Sequence, residues 1–234
     1  MFQANSRSKK VLLSMGVLAA IGALAGAGTF ASFTAQTKNP GNTFADGTLV
    51  MSNQVDSLTA CLSTNSTVTD SNVDQNCSNI FDLSVQKPGD SDTTDVTIQN
   101  VGSLAASALK VFSAACTDAN TAEAYHGTGS PCGKVQFYIQ QFSDSARQVP
   151  SACVYGNVTV ALTCDFAGTT NTLTNFVASH TTAEAGWSAG SLAAAGGADT
   201  AWFTIGVKLP TDSTNIYQGR SAALDINWHI LQVT

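Results

Sequence analysis

The residues whose types could do chemistry are three histidines, six cysteines, an acidic turn and the Ser-x-x-Lys at 107–110. The histidines, His126, His180 and His229, lie far apart in sequence. A zinc peptidase of the H-E-x-x-H kind needs two histidines one helical turn apart with a glutamate between them, because both imidazoles must face one metal. No such pair occurs. His229 falls on the outward side of an alternating stretch with Asp225 and Asn227, and reads as a solvated surface residue. Ser107 and Lys110 spell S-x-x-K, but the S-D-N and K-T-G elements that give this motif its chemistry are missing. Asp90, Asp92 and Asp95 sit in PGDSDTTD. The twelve-residue spacing and terminal glutamate of a calcium loop are absent, so they read as a solvated acidic turn. Trp187, Trp202 and Trp228 read as core or groove lining. No catalytic residue, metal ligand or cofactor is assigned from these motifs.

The cysteines are Cys61, Cys77, Cys116, Cys132, Cys153 and Cys164. An even number behind an export leader reads as disulfides, and the C-x-x-C or clustered histidines of a zinc site are missing. Fifteen pairings are formally open to six cysteines. The spacing suggests neighbours, Cys61 with Cys77, Cys116 with Cys132 and Cys153 with Cys164, since each pair brackets a polar, turn-rich stretch.

Only 11% of the 234 residues are charged, against about a quarter in an average soluble protein. Ser, Thr, Asn, Gly and Ala fill the difference, a composition common in secreted β-proteins. Net charge is −6, and Arg7, Lys9 and Lys10 precede residue 32 with no acid, so the part after Ala31 carries −9. Without clustered basic residues such a chain is a poor nucleic-acid ligand.

Those three basic residues are followed by an apolar run, VLLSMGVLAAIGALAGA at 11–27, and by the small-residue exit Thr29, Phe30, Ala31. This is the pattern of a signal peptide over 1–31, cleaved between Ala31 and Ser32. A retained anchor would want a longer and more apolar run. The new N-terminus would alternate, with Phe33, Ala35 and Thr37 on one side, Ser32, Thr34 and Gln36 on the other, and Lys38 at its end. Asn39, Pro40, Gly41 and Asn42 then break it. The expected organisation is a signal peptide at 1–31, an exposed N-terminal segment at 32–42 and a β-sandwich at 43–234.

Within the last part, extended segments are expected at 43–51, 80–86, 93–101, 106–115, 134–142, 155–163, 201–209 and 221–231. Residues 54–79, with a short helix near Leu58, and 117–133 are expected as surface loops. The anchor-poor stretch 167–200 is left open between strand plus loop and a short helix. In 134–142, Val135, Phe137 and Ile139 face inward while Gln136, Tyr138 and Gln140 face out. Short alternating strands with turn chemistry between them define an all-β, antiparallel fold, read as a two-sheet jelly-roll sandwich.

Three stretches carry a family resemblance: GTFASFTAQTKNPGNTFADGTLVMS at 28–52, LSVQKPGDSDTTDVTIQNVGSLAASALKV at 83–111 and IYQGRSAALDINWHILQ at 216–232. In this order they resemble the TasA/camelysin family of exported bacterial proteins. The resemblance implies a jelly-roll sandwich and cleavage by a signal peptidase of the eukaryotic-like type. It also implies a role as a subunit of extracellular biofilm-matrix fibres. In fibre-forming relatives the freed N-terminus fills a groove in the next subunit as a missing strand; here Ser32, Phe33, Thr34, Ala35, Gln36, Thr37 and Lys38 would form that donor strand. The expected partner is the chain itself, with no nucleic acid, no cofactor and membrane contact only through the uncleaved leader. The location implied is the extracellular matrix or cell surface. Two alternatives stand beside this non-enzymatic reading: a secreted camelysin-like metallo-endopeptidase, and a monomeric surface or adhesion module.

Overall fold

The computed structural model describes residues 46–65, 72, 76–81, 87–178 and 180–232, together with Met15. The chain divides into two units, 1–45 and 46–234, and the strands described below lie in the second. The expected cleavage point at Ala31 and Ser32, the donor segment 32–38 and most of the expected strand at 80–86 lie outside the described residues.

The described strands are β1 (Met51–Val55), β2 (Cys61–Leu62), β3 (Ser91–Asn100), β4 (Ala108–Phe112), β5 (Cys116–Asn120), β6 (Gln136–Phe142), β7 (Pro150–Tyr155), β8 (Asn157–Val158), β9 (Cys164–Asp165), β10 (Trp187–Ser188), β11 (Thr200–Lys208), β12 (Arg220–Leu224) and β13 (Asn227–Leu231). Two short helices, α1 (Pro131–Lys134) and α2 (Leu173–Val177), begin at Ser130 and Thr172, whose side chains accept from the backbone N–H of Gly133 and Asn175. The fold is all-β and antiparallel. One sheet has the order β2-β1-β3-β11-β6-β7, a second has β10-β4-β13, and β12-β5 and β8-β9 form two-stranded pairs.

Period-two alternation builds the core. Val96 and Ile98 of β3, Phe137 and Ile139 of β6, and Ala201, Phe203 and Ile205 of β11 are buried from the six-stranded sheet. Leu109 and Val111 of β4 and Trp228 and Ile230 of β13 are buried from the three-stranded one, and all belong to one cluster. The Phe203 and Trp228 rings, 4.6 Å apart, join the two sheets directly.

Several elements differ from expectation for identifiable reasons. The first described strand begins at Met51, and of the expected segment 43–51 the described residues 46–50 are not strand, because they bond the 100–104 turn: Val101 N–H donates to Val50 O and Leu104 N–H to Thr48 O. Around Leu58 there is a turn, and the 3-10 helix falls later, at Ser63–Asn65. The expected loop 117–133 contains most of β5. The expected strand 155–163 is interrupted at Gly156, which takes φ +130° and bends the chain between β7 and β8. The stretch 167–200 holds both α2 and β10. The expected strand 221–231 is two strands. β12 pairs with β5 so that Leu224 meets Cys116, and β13 pairs with β4 so that Asn227 meets Phe112. Three residues, 113–115, therefore oppose two, 225–226, and the extra residue kinks the ribbon and sends its halves to different sheets.

Gln140 is buried, not outward, because the β6–β7 register shifts at Ile139/Gln140. Its Nε2 donates to the carbonyls of Gln141, Ala152 and Leu162 at 2.7, 2.9 and 3.2 Å, and its Oε1 accepts from Cys164 N–H at 2.6 Å. Asn100 is fully buried and equally satisfied. Its Nδ2 donates to Leu104 O at 2.7 Å and Ala193 O at 2.9 Å, and its Oδ1 accepts from Gly102 N–H at 3.0 Å. Asn100→Ala leaves these backbone groups without partners and is expected to cost about 2–4 kcal/mol, read as a lower urea midpoint.

Disulfides join Cys61 to Cys77, Cys116 to Cys132 and Cys153 to Cys164, the neighbouring pairs, with sequence separations of 16, 16 and 11 residues. Loops of this size place each bridge near 3 kcal/mol in the chain-entropy account.

Asp199 ties the turn into β11. Gly196 N–H donates to one of its carboxylate oxygens and the Thr200 hydroxyl to the other, both at 2.8 Å, and these bonds hold its carboxyl below the usual range. A depressed native pKa means that the unfolded chain takes up the proton first as pH falls. The contribution is therefore complete above the unfolded-state value of about 3.9 and is lost as pH drops through the lower native value. Acid titration of stability should show a loss below about pH 4 that is smaller in Asp199→Asn.

Candidate functional site

The histidines are held separately. His126 Nδ1 lies 2.9 Å from Gly219 O. His180 Nδ1 lies 2.8 Å from Ala178 O, and its ring stacks on Trp187 at 3.9 Å. His229 sits on β13 in register with Lys110. Hydrogen bonds from its own backbone N–H and from Thr182 hold the Glu184 carboxyl below its usual range, with a smaller contribution from His229. All six cysteines are bridged. Among the described residues, no three His, Cys, Asp or Glu side chains converge as a metal site requires.

The acidic turn is also divided. Asp90 accepts from Lys87 N–H and Asp92 from Thr93 N–H, both at 2.9 Å. Asp95 accepts from the Thr204 hydroxyl at 2.6 Å and pairs with Arg147 at 3.4 Å. Ser107 donates to Leu231 O at 3.1 Å. Ser107 stands just before β4, and Lys110 lies within it in register with His229.

Two surface features remain. One is a hollow of about 430 Å³ bordered by β7, β8, the start of α2 and β10, with Tyr155 and Trp187 in its wall. Burial pushes the Tyr155 hydroxyl well above its usual pKa, and it donates to Thr172 O at 2.7 Å. The Trp187 indole N–H donates to Phe176 O at 3.1 Å. Sequence reasoning missed this hollow, because its walls come from three separate segments, at 153–158, 170–175 and 187, that show no common pattern.

The other feature is the edge of β13, whose single strand partner among the described residues is β4. Leu109 accepts from Ala189 N–H and donates to Gly190 O, so its backbone faces the β10 side. Antiparallel ladders alternate, so Leu109 and its cross-strand partner Ile230 form a non-hydrogen-bonded pair. The backbone groups of Ile230, and of Trp228 two residues earlier, therefore point away from β4. Their side chains are core. A strand added at this edge would continue the sheet and could place alternate side chains beside Trp228 and Ile230.

Fold and site define a disulfide-stapled antiparallel β-protein in which β13 has a single strand partner among the described residues. The model of a family described as camelysin metallo-endopeptidase matches residues 8–233, and the chain belongs to that family. No curated protein matches it. The family description implies a metal. The described residues do not fit one: no three His, Cys, Asp or Glu side chains come together, the cysteines are bridged, Asp90 and Asp92 accept from nearby backbone N–H groups, and Asp95 is taken up by Thr204 and Arg147.

Proposed function

We propose that this chain is a secreted structural protein that assembles into extracellular matrix fibres. A signal peptidase of the eukaryotic-like type cuts after Ala31, and residues 32–38 then add as a strand to a neighbouring copy. The observation that carries this reading is the β13 edge, with outward backbone groups at Trp228 and Ile230 and the core directly behind them. It is matched by an alternating segment at the expected new N-terminus, with Lys38 at its end as the one charged side chain. Open strand edges favour pairing with another chain. Electron microscopy of the processed chain at rising concentration tests the reading: fibres are expected above a threshold, and monomers throughout would support an adhesion module instead.

A peptidase is the second reading, favoured by the family description. Incubation of the processed chain with casein, with and without zinc and chelator, separates the two. No turnover is expected; chelator-sensitive turnover would establish the peptidase.

A further inference from the structure

The β8–β9 hairpin presents Val158, Val160 and Leu162 to solvent, with Val160 90% exposed. Its tip is tightly held. Thr159 donates to Thr163 O through its backbone N–H at 2.8 Å and its hydroxyl at 3.0 Å. The Cys153–Cys164 bridge and the buried Gln140 amide fix its base. Ala161 and Leu162 take φ of 64° and 62°, a region that side-chain-bearing residues adopt at a cost. Glycine or asparagine would relieve that cost, yet aliphatic residues stand there facing water. Rigid, strained and apolar at a surface is a local conflict, and such conflicts mark contact sites.

The hollow lies beside this tip, and Val158 belongs to both. No charged residue lines the hollow, and none occurs anywhere in 148–164. In a chain of net charge −6 two copies repel over most of their surfaces. They can approach at little electrostatic cost where neutral faces meet. A lipid surface fits less well, since the face has no basic residue to hold headgroups and a flat membrane would leave the hollow unfilled. Because tip and hollow share one face, a two-fold rotation brings each tip to the other copy's hollow, the geometry of an isologous contact.

We infer that the β8–β9 hairpin is a self-association site, with Val160 and Leu162 of one copy seated in the hollow beside Tyr155 and Trp187 of a second. The contact is independent of the strand-addition reading. Trp187 lies on β10, at the opposite edge of the three-stranded sheet from β13, so fibres joined at β13 could also pair sideways here.

The test places a photo-reactive phenylalanine analogue at position 160 of the chain, with and without residues 32–38. Illumination is expected to give a cross-linked dimer in both forms, with the link mapped to peptides containing Thr170, Asn175 or Trp187. Val160→Asp and Asn175→Trp, the first adding charge to the tip and the second filling the hollow, should each weaken dimerisation at least tenfold in sedimentation. The circular dichroism of Val160→Asp should be unchanged. Absence of cross-linking at millimolar concentration, links elsewhere on the surface, or links into neutral phosphatidylcholine vesicles instead of a second copy would each overturn the inference. Absence of fibres from the chain that keeps residues 32–38, with the dimer intact, would count against the strand-addition reading alone.

Discussion

A chain cleaved or truncated to lack residues 32–38 is expected to fold, form its three disulfides and remain unable to polymerise. The alternation of Ser32, Thr34 and Gln36 against Phe33, Ala35 and Thr37 suits a strand that adds to an existing sheet, where main-chain bonds supply affinity and alternate side chains set register. Phe33 is the large side chain of that segment. Its burial would contribute roughly 1.5–3 kcal/mol at each junction, equivalent to a critical concentration about 10- to 150-fold higher when it is lost. Phe33→Asp should approach the effect of the deletion, and free SFTAQTK peptide should cap growing ends of the intact chain. Sedimentation of the two forms side by side reads the result. A truncated chain that assembles as readily as the processed one would show that copies are joined through another surface.

The largest effect on stability is expected at Phe203. It is fully buried at the centre of β11, with Val96 opposite it on β3 and Gln141 on β6, and its ring meets Trp228 of the facing sheet. Phe203→Ala removes that ring contact and leaves a cavity between the sheets, at an expected cost of about 3–5 kcal/mol. Against a typical total of about 5–15 kcal/mol this is a large fraction. The urea midpoint should fall with little change in slope. Val160→Ala, at a fully exposed position, serves as the control and should move the midpoint very little. A Phe203→Ala chain within 1 kcal/mol of the parent would mean that the two sheets do not pack through this ring.

Long, regular strands were legible because their burial follows the period of the pleat. Val96 and Ile98, Leu109 and Val111, Phe137 and Ile139, and Phe203 and Ile205 all lie where alternation places them. The cysteine pairing was legible for a related reason, since each pair closes a short polar loop. What alternation hid were departures from the pleat. The break at 225–226 follows from one extra residue on the opposing strand, which no local pattern in 221–231 records. Gln140 is buried because backbone groups from three segments need its amide, a demand set by tertiary structure. β2, β8, β9 and β10 are two residues each, too short to carry a period. The open edge of β13 depends on which strands pair, and the hollow depends on β7, α2 and β10 meeting, so neither site could be found from the chain alone.

Hydrogen–deuterium exchange on the processed chain at low and high concentration tests strand addition most directly. The account predicts that the amides of residues 32–38, together with those of Trp228 and Ile230, exchange quickly in the dilute monomer and become protected as the chain assembles. Exchange at 32–38 that is as fast at high concentration as at low would contradict it, whether the chain stays monomeric or its copies are joined elsewhere.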